Sequence, residues 1–330
     1  MRKLILSLTL ATLAAITMQA ALIPVAPAPL HPGDTIAIIS PGSTPKDGVA
    51  EAGANVLKQW GFNVVIGSHA YSKHAMYAGT TGERLADFLW ALRDPSVKAI
   101  VCTRGGYGSS LLLYAMDRNI LTTYPKWIVG YSDITSLHSA QVRAGNMSLH
   151  ANMCGALAER GANDAVNLML RDVLLGKRPT YNVPAHPLNH MGKAAGILVG
   201  GNMAVMSNLA GSPTYDFLDR DYILGRDIIL FFEDVSESMP RVISMLYQLK
   251  LKGVIDRVKG IVVGRFTDYT PGYGYTDMPQ LLDEYLQGYE IPICYDFPAS
   301  HDESWNYPMI EGCPVTLNVT ETGVTLDFAE

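Results

Sequence analysis

No run of lysine or arginine occurs in the 330 residues, where 25 basic side chains are outnumbered by 31 acidic ones for a formal net charge of -6. That removes the electrostatic footprint nucleic acid or an anionic membrane surface would need, and small soluble substrates fit better. Cysteine is scarce as well. Cys102, Cys154, Cys294 and Cys313 are scattered with no C-x-x-C pair, which argues against a zinc ribbon or a dithiol redox site. Cys102 and Cys294 lie in apolar, strand-like runs and read as buried free thiols, although an exported chain permits pairing. Metal spacing is missing too: His186 and His190 are four apart, but Pro187 between them argues against a helix that presents both to one ion. The adjacent carboxylates Glu233-Asp234 and Asp302-Glu303 point to opposite faces of an extended chain, so neither is a natural glycosidase acid/base couple. The chain shows no internal repeat and no low-complexity segment, and no metal or cofactor is expected.

Long apolar runs are confined to the start. Arg2 and Lys3 precede an apolar stretch from Leu4 to Met18, and Gln19-Ala20-Ala21 follows with small residues. This is the layout of a cleaved signal peptide over residues 1–21, too short for a comfortable membrane span, and without a nearby cysteine for lipid attachment. An uncleaved anchor is the competing reading; both put the protein outside the cytoplasm. The expectation is export, to a periplasm, with no stable membrane insertion after cleavage.

What remains is 48% hydrophobic and long enough for two ordinary cores. Short β-branched runs at Asp34–Ser40, Asn63–Gly67, Ala99–Thr103 and Trp127–Gly130 read as buried strands, and Gly48–Trp60 and Gly82–Leu92 carry helical spacing between them. Strand and helix in alternation mean a parallel sheet covered by helices. A polar, proline-containing stretch, residues 176–192, reads as a connector between a unit at 22–175 and another at 193–330. In the second unit Ile197–Val199, Asp227–Phe232, Gly260–Val263 and Ile291–Tyr295 are strand candidates, with helices near Met203–Leu209, Pro240–Leu249 and Met278–Leu286. Alternation from Pro314 to Phe328 around Thr320–Gly323 reads as a hairpin.

Four places have the residue types for chemistry. In Lys126–Thr135, KWIVGYSDIT, an apolar strand ends at Gly130 and a helix opens at Ile134. Ser132 at that turn would project from the carboxyl end of a sheet, with helix-terminal N–H groups beside it; such a serine is also a common helix cap. Thr103–Ser110, TRGGYGSS, lets the backbone approach a ligand and offers an N–H for an oxyanion, or is simply a tight turn around Tyr107; its spacing fits neither a phosphate loop nor a dinucleotide fingerprint. Glu233 ends the apolar run DIILFFE, where a carboxylate needs a partner. His301 follows the strand-like IPICYDF and so falls at the strand edge where α/β sheets collect ligands. His138, near Ser132, is an alternative base, and His31 and His69 read as loop residues.

Six segments occur together in order: YAGTTGERLADF (77–88), VKAIVCTRGGYGSSLLL (97–113), VGYSDIT (129–135), GGNM (200–203), FFEDVSE (231–237) and VVGRF (262–266). Over nearly the whole chain beyond residue 21 this resembles the L,D-carboxypeptidase family of serine peptidases, which includes muramoyl-tetrapeptide carboxypeptidases and microcin self-immunity proteins. The resemblance implies a Ser-His-Glu triad at Ser132, His301 and Glu233, acyl-enzyme chemistry, and release of terminal D-Ala from peptidoglycan peptides. It implies a flavodoxin-like, class I amidotransferase-like N-terminal domain, a smaller β-rich α/β C-terminal domain, and a homodimer. With it, the backbone N–H groups of Asp133 and Gly106 become the expected oxyanion donors, and Arg104 or Arg241 the cation for the substrate's terminal carboxylate. Two departures stand out: Ser300 precedes His301 where relatives usually have Gly, and His150-Ala151-Asn152 stands where many have His-Gly-Pro. The alternatives are a microcin-immunity-like peptidase of peptide-nucleotide conjugates, or an inactive binder of cell-wall peptides.

Overall fold

The computed structural model describes residues 23–302 and 305–328; the signal segment read at 1–21, and Glu303, lie outside the described residues. Five short apolar runs form the parallel part of the first sheet: β1 (Thr35–Ile39), β2 (Asn63–Ile66), β3 (Val97–Cys102), β4 (Trp127–Gly130) and β5 (Ser148–His150). Their order, β2-β1-β3-β4-β5, is that of flavodoxin-like folds, in which ligands bind outside the carboxyl ends of the strands. Every residue of β4 and all of β1 beyond Thr35 is buried, as expected for strands with helices on both faces. One of those helices, Thr81–Arg93, starts on a capping box in which Thr80 and Glu83 satisfy each other's backbone N–H.

The second sheet holds β6 (Thr180–Pro184), β7 (Gly192–Asn202), β8 (Ile228–Val235), β9 (Gly260–Thr267) and β10 (Ile293–Phe297), together with a C-terminal hairpin. After β10 the chain first returns to the other sheet as β11 (Met309–Glu311), antiparallel to β5, and only then forms the hairpin strands β12 (Pro314–Val319) and β13 (Gly323–Phe328). The order β10-β9-β8-β7-β12-β13-β6 puts four parallel strands beside three antiparallel ones. The architecture is mixed α/β with a parallel-strand sheet in the N-terminal part and a second sheet towards the C-terminus. Among the described residues that second sheet is the larger, with seven strands to the first's six.

Two expectations need correction. The stretch 176–192 is not a bare connector, because β6 lies in it as the edge strand beside β13, with Tyr181 buried and its hydroxyl donating to the Pro308 carbonyl. Edge strands tolerate proline and polar residues, so its composition imitates a linker. Nor is 193–330 confined to the second sheet, since β11 belongs to the first. That crossing joins the units: Val129 and Leu149 of the first sheet and Phe231 and Phe297 of the second belong to one apolar cluster. The carboxyl end of β7 meets the helix after β4, where Asn202 N–H donates to Thr135 Oγ1 at 3.0 Å. All four cysteines are buried, and none forms a disulfide.

Close strand packing explains the glycine pair of GGNM. A Cβ on Gly200 would stand 1.8 Å from the Phe231 carbonyl oxygen, backbone that has nowhere to move. Gly200→Ala should therefore lower unfolding free energy by about 1–3 kcal/mol, as overpacking does. Gly288→Ala, with open space and ordinary φ, should change it by less than about 0.5 kcal/mol; urea midpoints of the two variants check the contrast.

Candidate active site

β4 ends at Gly130, where a Cβ would meet Ile134 Cγ1 at 2.8 Å, so only glycine lets the chain fold back this tightly. Two residues on, Ser132 has φ +64°, in the left-handed region. For a non-glycine residue that costs about 1–2 kcal/mol, a strain typical of functional turns. The backbone then passes through a single 3₁₀ turn, Ser132–Ile134, into the helix Thr135–Arg143. Asp133 anchors the turn. Its carboxylate accepts from Ser109 N–H at 2.9 Å, and its carbonyl accepts from the hydroxyls of Ser109 at 2.5 Å and Ser136 at 3.0 Å. Burial pushes the Asp133 carboxyl pKa up, while the Ser109 hydrogen bonds and the Arg84 charge oppose that shift.

The glycine-rich loop after β3 closes on the same turn. A Cβ on Gly105 would lie 2.9 Å from Ser132 Cβ and 3.1 Å from both its Oγ and the Asp133 amide nitrogen. One on Gly106, at φ +93°, would strike Ser43 Oγ. Ser43 in turn donates its N–H to the Gly105 carbonyl and accepts from Tyr107 N–H. Buried Arg84 donates to the carbonyls of Pro41 and Gly108 at 2.5 and 2.7 Å, tying the loops after β1 and β3 together. Nothing local in the sequence singles out Arg84.

From the other sheet, Glu233 near the end of β8 is fully buried, and its Oε2 accepts from His301 Nδ1 at 2.6 Å. A Cβ on Gly264 would lie 3.0 Å from Glu233 Cβ and 2.3 Å from the Ala299 carbonyl, so the glycine of VVGRF makes room for both the carboxylate and the loop that carries the histidine. The neighbouring Asp234 turns the other way, accepting from Asn202 Nδ2 and Ala204 N–H at 2.8 Å each; burial first, and then the Glu233 charge, raise its pKa to about 6. His301 rests edge-on against Tyr131, ring centroids 5.1 Å apart. Burial lowers its proton affinity, but the Glu233 charge and hydrogen bond, with Asp234 and Asp268, outweigh this and raise its pKa. Its Nε2 has no hydrogen-bond partner among the described residues.

His301 and Ser132 line one cavity of about 580 Å³, with Arg104, Gly105 and Gly106 at its wall. The structure thus brings together Ser132, Gly106, Arg104, His301 and, through the histidine, Glu233. It does not bring Arg241, which is exposed on the helix Met239–Leu251 and is not among the residues lining this cavity. Following Glu233 in sequence was no guide to direction, because a new helix starts between them. His138 is engaged at both nitrogens, by Ser148 Oγ at 2.7 Å and the Gly130 carbonyl at 2.9 Å, and burial pulls its pKa down to about 4, which removes it as a base for Ser132. His69 pairs with Asp87 and His190 with Asp283, and no group of three or more metal-ligating side chains occurs among the described residues. Lys46 and Glu159 also line the cavity. Sequence reasoning missed both, since nothing near either marks a site.

Residues 36–151 match the model of the LD-carboxypeptidase N-terminal domain and residues 195–317 that of the LD-carboxypeptidase C-terminal domain. Fold and site therefore fall within one class, the two-sheet α/β peptidases. The chain belongs to the LD-carboxypeptidase family. It is 31% identical over 283 residues to the "probable murein peptide carboxypeptidase" of Bacillus subtilis, covering 83% of this chain and 86% of the relative. The microcin C7 self-immunity protein of Escherichia coli is 27% identical, over 87% of this chain and 90% of its own. Among solved structures, the muramoyltetrapeptide carboxypeptidase of Oxalobacter formigenes superposes with a TM-score of 0.80 at 27% identity, covering 90% of this chain and 99% of that one.

The left-handed backbone at Ser132 has a measurable consequence. Ser132→Gly removes a strain of about 1–2 kcal/mol and adds about 0.5–1 kcal/mol of unfolded-chain entropy. The variant should be more stable by roughly 0.5–1 kcal/mol, read from its urea midpoint.

Proposed function

We propose that this chain is a serine L,D-carboxypeptidase that releases terminal D-Ala from peptidoglycan tetrapeptides, exported on the signal at residues 1–21 and working in a periplasm. The observation that carries the reading is the Glu233–His301 hydrogen bond, which leaves Nε2 without a partner in a cavity the histidine shares with a conformationally strained serine. The family membership and the murein-peptide names of relatives support the substrate class.

In this mechanism His301 donates Nδ1–H to Glu233, so Nε2 is the basic nitrogen and takes the proton of Ser132 as Oγ attacks the scissile carbonyl. Glu233 holds the ring in that tautomer and stabilises the imidazolium, the role of the carboxylate in any such triad. The N–H groups of Asp133 and Gly106 receive the oxyanion, each donor contributing about 3 kcal/mol. His301 then protonates the leaving D-Ala amine, and water hydrolyses the acyl-enzyme by the same route in reverse. Arg104, exposed at the cavity wall beside Gly105, takes the terminal carboxylate.

Ser132→Ala should abolish D-Ala release from purified tetrapeptide, followed by mass spectrometry, with the fold intact. Undiminished release would sink the assignment. A peptide-nucleotide conjugate in the same assay tests the microcin-immunity alternative, and a serine-directed probe that leaves Ser132 unlabelled in the native enzyme would favour an inactive binder. The pH profile tests the histidine. His301 must be neutral to act as base and its pKa is raised, so the acid limb of kcat/KM should lie above the ordinary 6.5 and activity should fall as pH drops through it. In Glu233→Gln burial is left to dominate, so the limb should move to lower pH while kcat falls by about 10²–10⁴.

A further inference from the structure

Arg84 is a charged side chain almost closed to water, 1% exposed on the helix Thr81–Arg93. Withdrawing a guanidinium from water is costly unless its donors are taken. Here Nη1 donates to two backbone carbonyls, Pro41's at 2.5 Å and Gly108's at 2.7 Å, and Nη2 donates to the Thr81 hydroxyl at 3.3 Å. Each carbonyl leads, a short way along the hydrogen bonds, to one of the N–H groups assigned above to the oxyanion.

The first route runs through Gly108. Its carbonyl accepts from Arg84, and the N–H of the same peptide unit, that of Ser109, donates to Asp133 Oδ2 at 2.9 Å. A trans peptide is planar with its C=O and N–H opposed, so one rigid group joins the guanidinium to the carboxylate. Each charge polarises that group and strengthens the bond at its far end. Burial lowers the pKa of Arg84 and raises that of Asp133, and each charge opposes the shift in the other. Asp133 directly follows the nucleophile, so a carboxylate held in place limits the rotation of its own backbone N–H.

The second route runs through Pro41. Two residues on, Ser43 N–H donates to the Gly105 carbonyl at 3.0 Å, and Ser43 Oγ accepts from Tyr107 N–H at 3.1 Å. Ser43 thus holds the peptides on both sides of Gly106. With the Gly105 carbonyl aimed at Ser43, the N–H of that same peptide, Gly106's, is turned away from it. Gly106 lines the cavity of Ser132. Gly42 packs between the two routes: a Cβ there would stand 2.7 Å from the Gly105 carbonyl oxygen and 2.8 Å from Asp133 Oδ2.

We propose that Arg84 is the positioning residue of the oxyanion hole, setting through Gly108 and Pro41 the direction of both donor N–H groups, those of Asp133 and Gly106. This rests on the serine carboxypeptidase reading above. Buried behind both loops, Arg84 touches no substrate. It acts through groups that bind the tetrahedral intermediate, so its loss falls on kcat and spares KM.

The test compares Arg84→Met and Arg84→Lys with the wild-type enzyme in D-Ala release from purified tetrapeptide and in affinity for a peptide boronic acid, whose serine adduct is a tetrahedral anion. Urea midpoints establish that each variant is folded. Arg84→Met should lower kcat by about 10²–10³, the effect of losing an oxyanion donor, with KM within about threefold and boronate affinity reduced by the same factor as kcat. Lysine keeps the charge but is shorter and lacks the second nitrogen that Thr81 holds, so Arg84→Lys should lose only about tenfold in both readings. A folded Arg84→Met with kcat within about threefold of wild type, a kcat loss without the matching boronate loss, or a loss carried by KM would each overturn the inference. Should Arg84→Met fail to fold, Arg84→Lys decides alone: matched losses in kcat and boronate affinity support the inference, and unchanged values overturn it. Absence of D-Ala release by the wild-type enzyme would instead overturn the carboxypeptidase reading, and boronate affinity, which needs only the serine, would then decide on Arg84.

Discussion

A fully buried glutamate needs a partner, and the partner of Glu233 comes from a loop some seventy residues on, at His301. A carboxylate withdrawn from water costs several kcal/mol unless it is paired and hydrogen-bonded, and removing one member of such a pair costs more than the pair is worth. The second sheet is arranged around this requirement. Gly264 gives up its side chain so that Glu233 and Ala299 can approach, and Asp234 is diverted to Asn202 and Ala204, which keeps a second carboxylate away from the histidine's ring nitrogens. The Glu233–His301 contact is also what raises the histidine's proton affinity against the effect of burial. Structure and chemistry draw on the same hydrogen bond.

The first sheet meets a different constraint, imposed by the backbone. Ser132 is held in the left-handed region, and the surroundings over-determine that conformation through the Asp133 anchors on Ser109 and Ser136 and through Gly105 pressed against its side chain. Strain of this kind persists only where neighbouring contacts leave no alternative. Arg84 ties the loop after β1 to the glycine-rich loop, so the strands supply loops that brace one another at the carboxyl edge of the sheet.

Much of this was legible because the signals are local. β4, Gly130 and the helix after Ser132 form a strand–turn–helix that periodicity and glycine placement announce, and the apolar run ending in Glu233 states its own need for a partner. That Glu233 and Asp234 of β8 point to opposite faces also followed from strand alternation. The illegible parts depend on contacts remote in sequence. β6 reads as a linker because edge strands relax the composition rules, and β11 is three residues long, below what a periodicity can reveal. Arg241 was placed by nearness in sequence to Glu233, which a helix start between them makes worthless as a guide. Lys46, Arg84 and Glu159 acquire meaning only from the loops and helices that surround them.

The short strand β11 has a larger effect than its length suggests. His301 lies in the segment between β10, in the second sheet, and β11, in the first, so the histidine is carried by a passage that spans from sheet to sheet. At one end Arg265 N–H donates to the Ala299 carbonyl; further along, Asn306 accepts from Ser300 N–H and donates to Asn152 Oδ1 of the first sheet's side. Fastened at Ala299 and Ser300, the two residues that precede it, His301 is limited in how far its imidazole can drift from the cavity it shares with Ser132. Asn152, one of the two departures noted in the sequence, reaches the histidine loop with its side chain. Ser300, the other departure, is buried and exchanges hydrogen bonds with Asp302. The two positions thus meet through Asn306, which accepts from the Ser300 backbone N–H and donates to Asn152 Oδ1, while the Ser300 hydroxyl fastens the loop locally to Asp302.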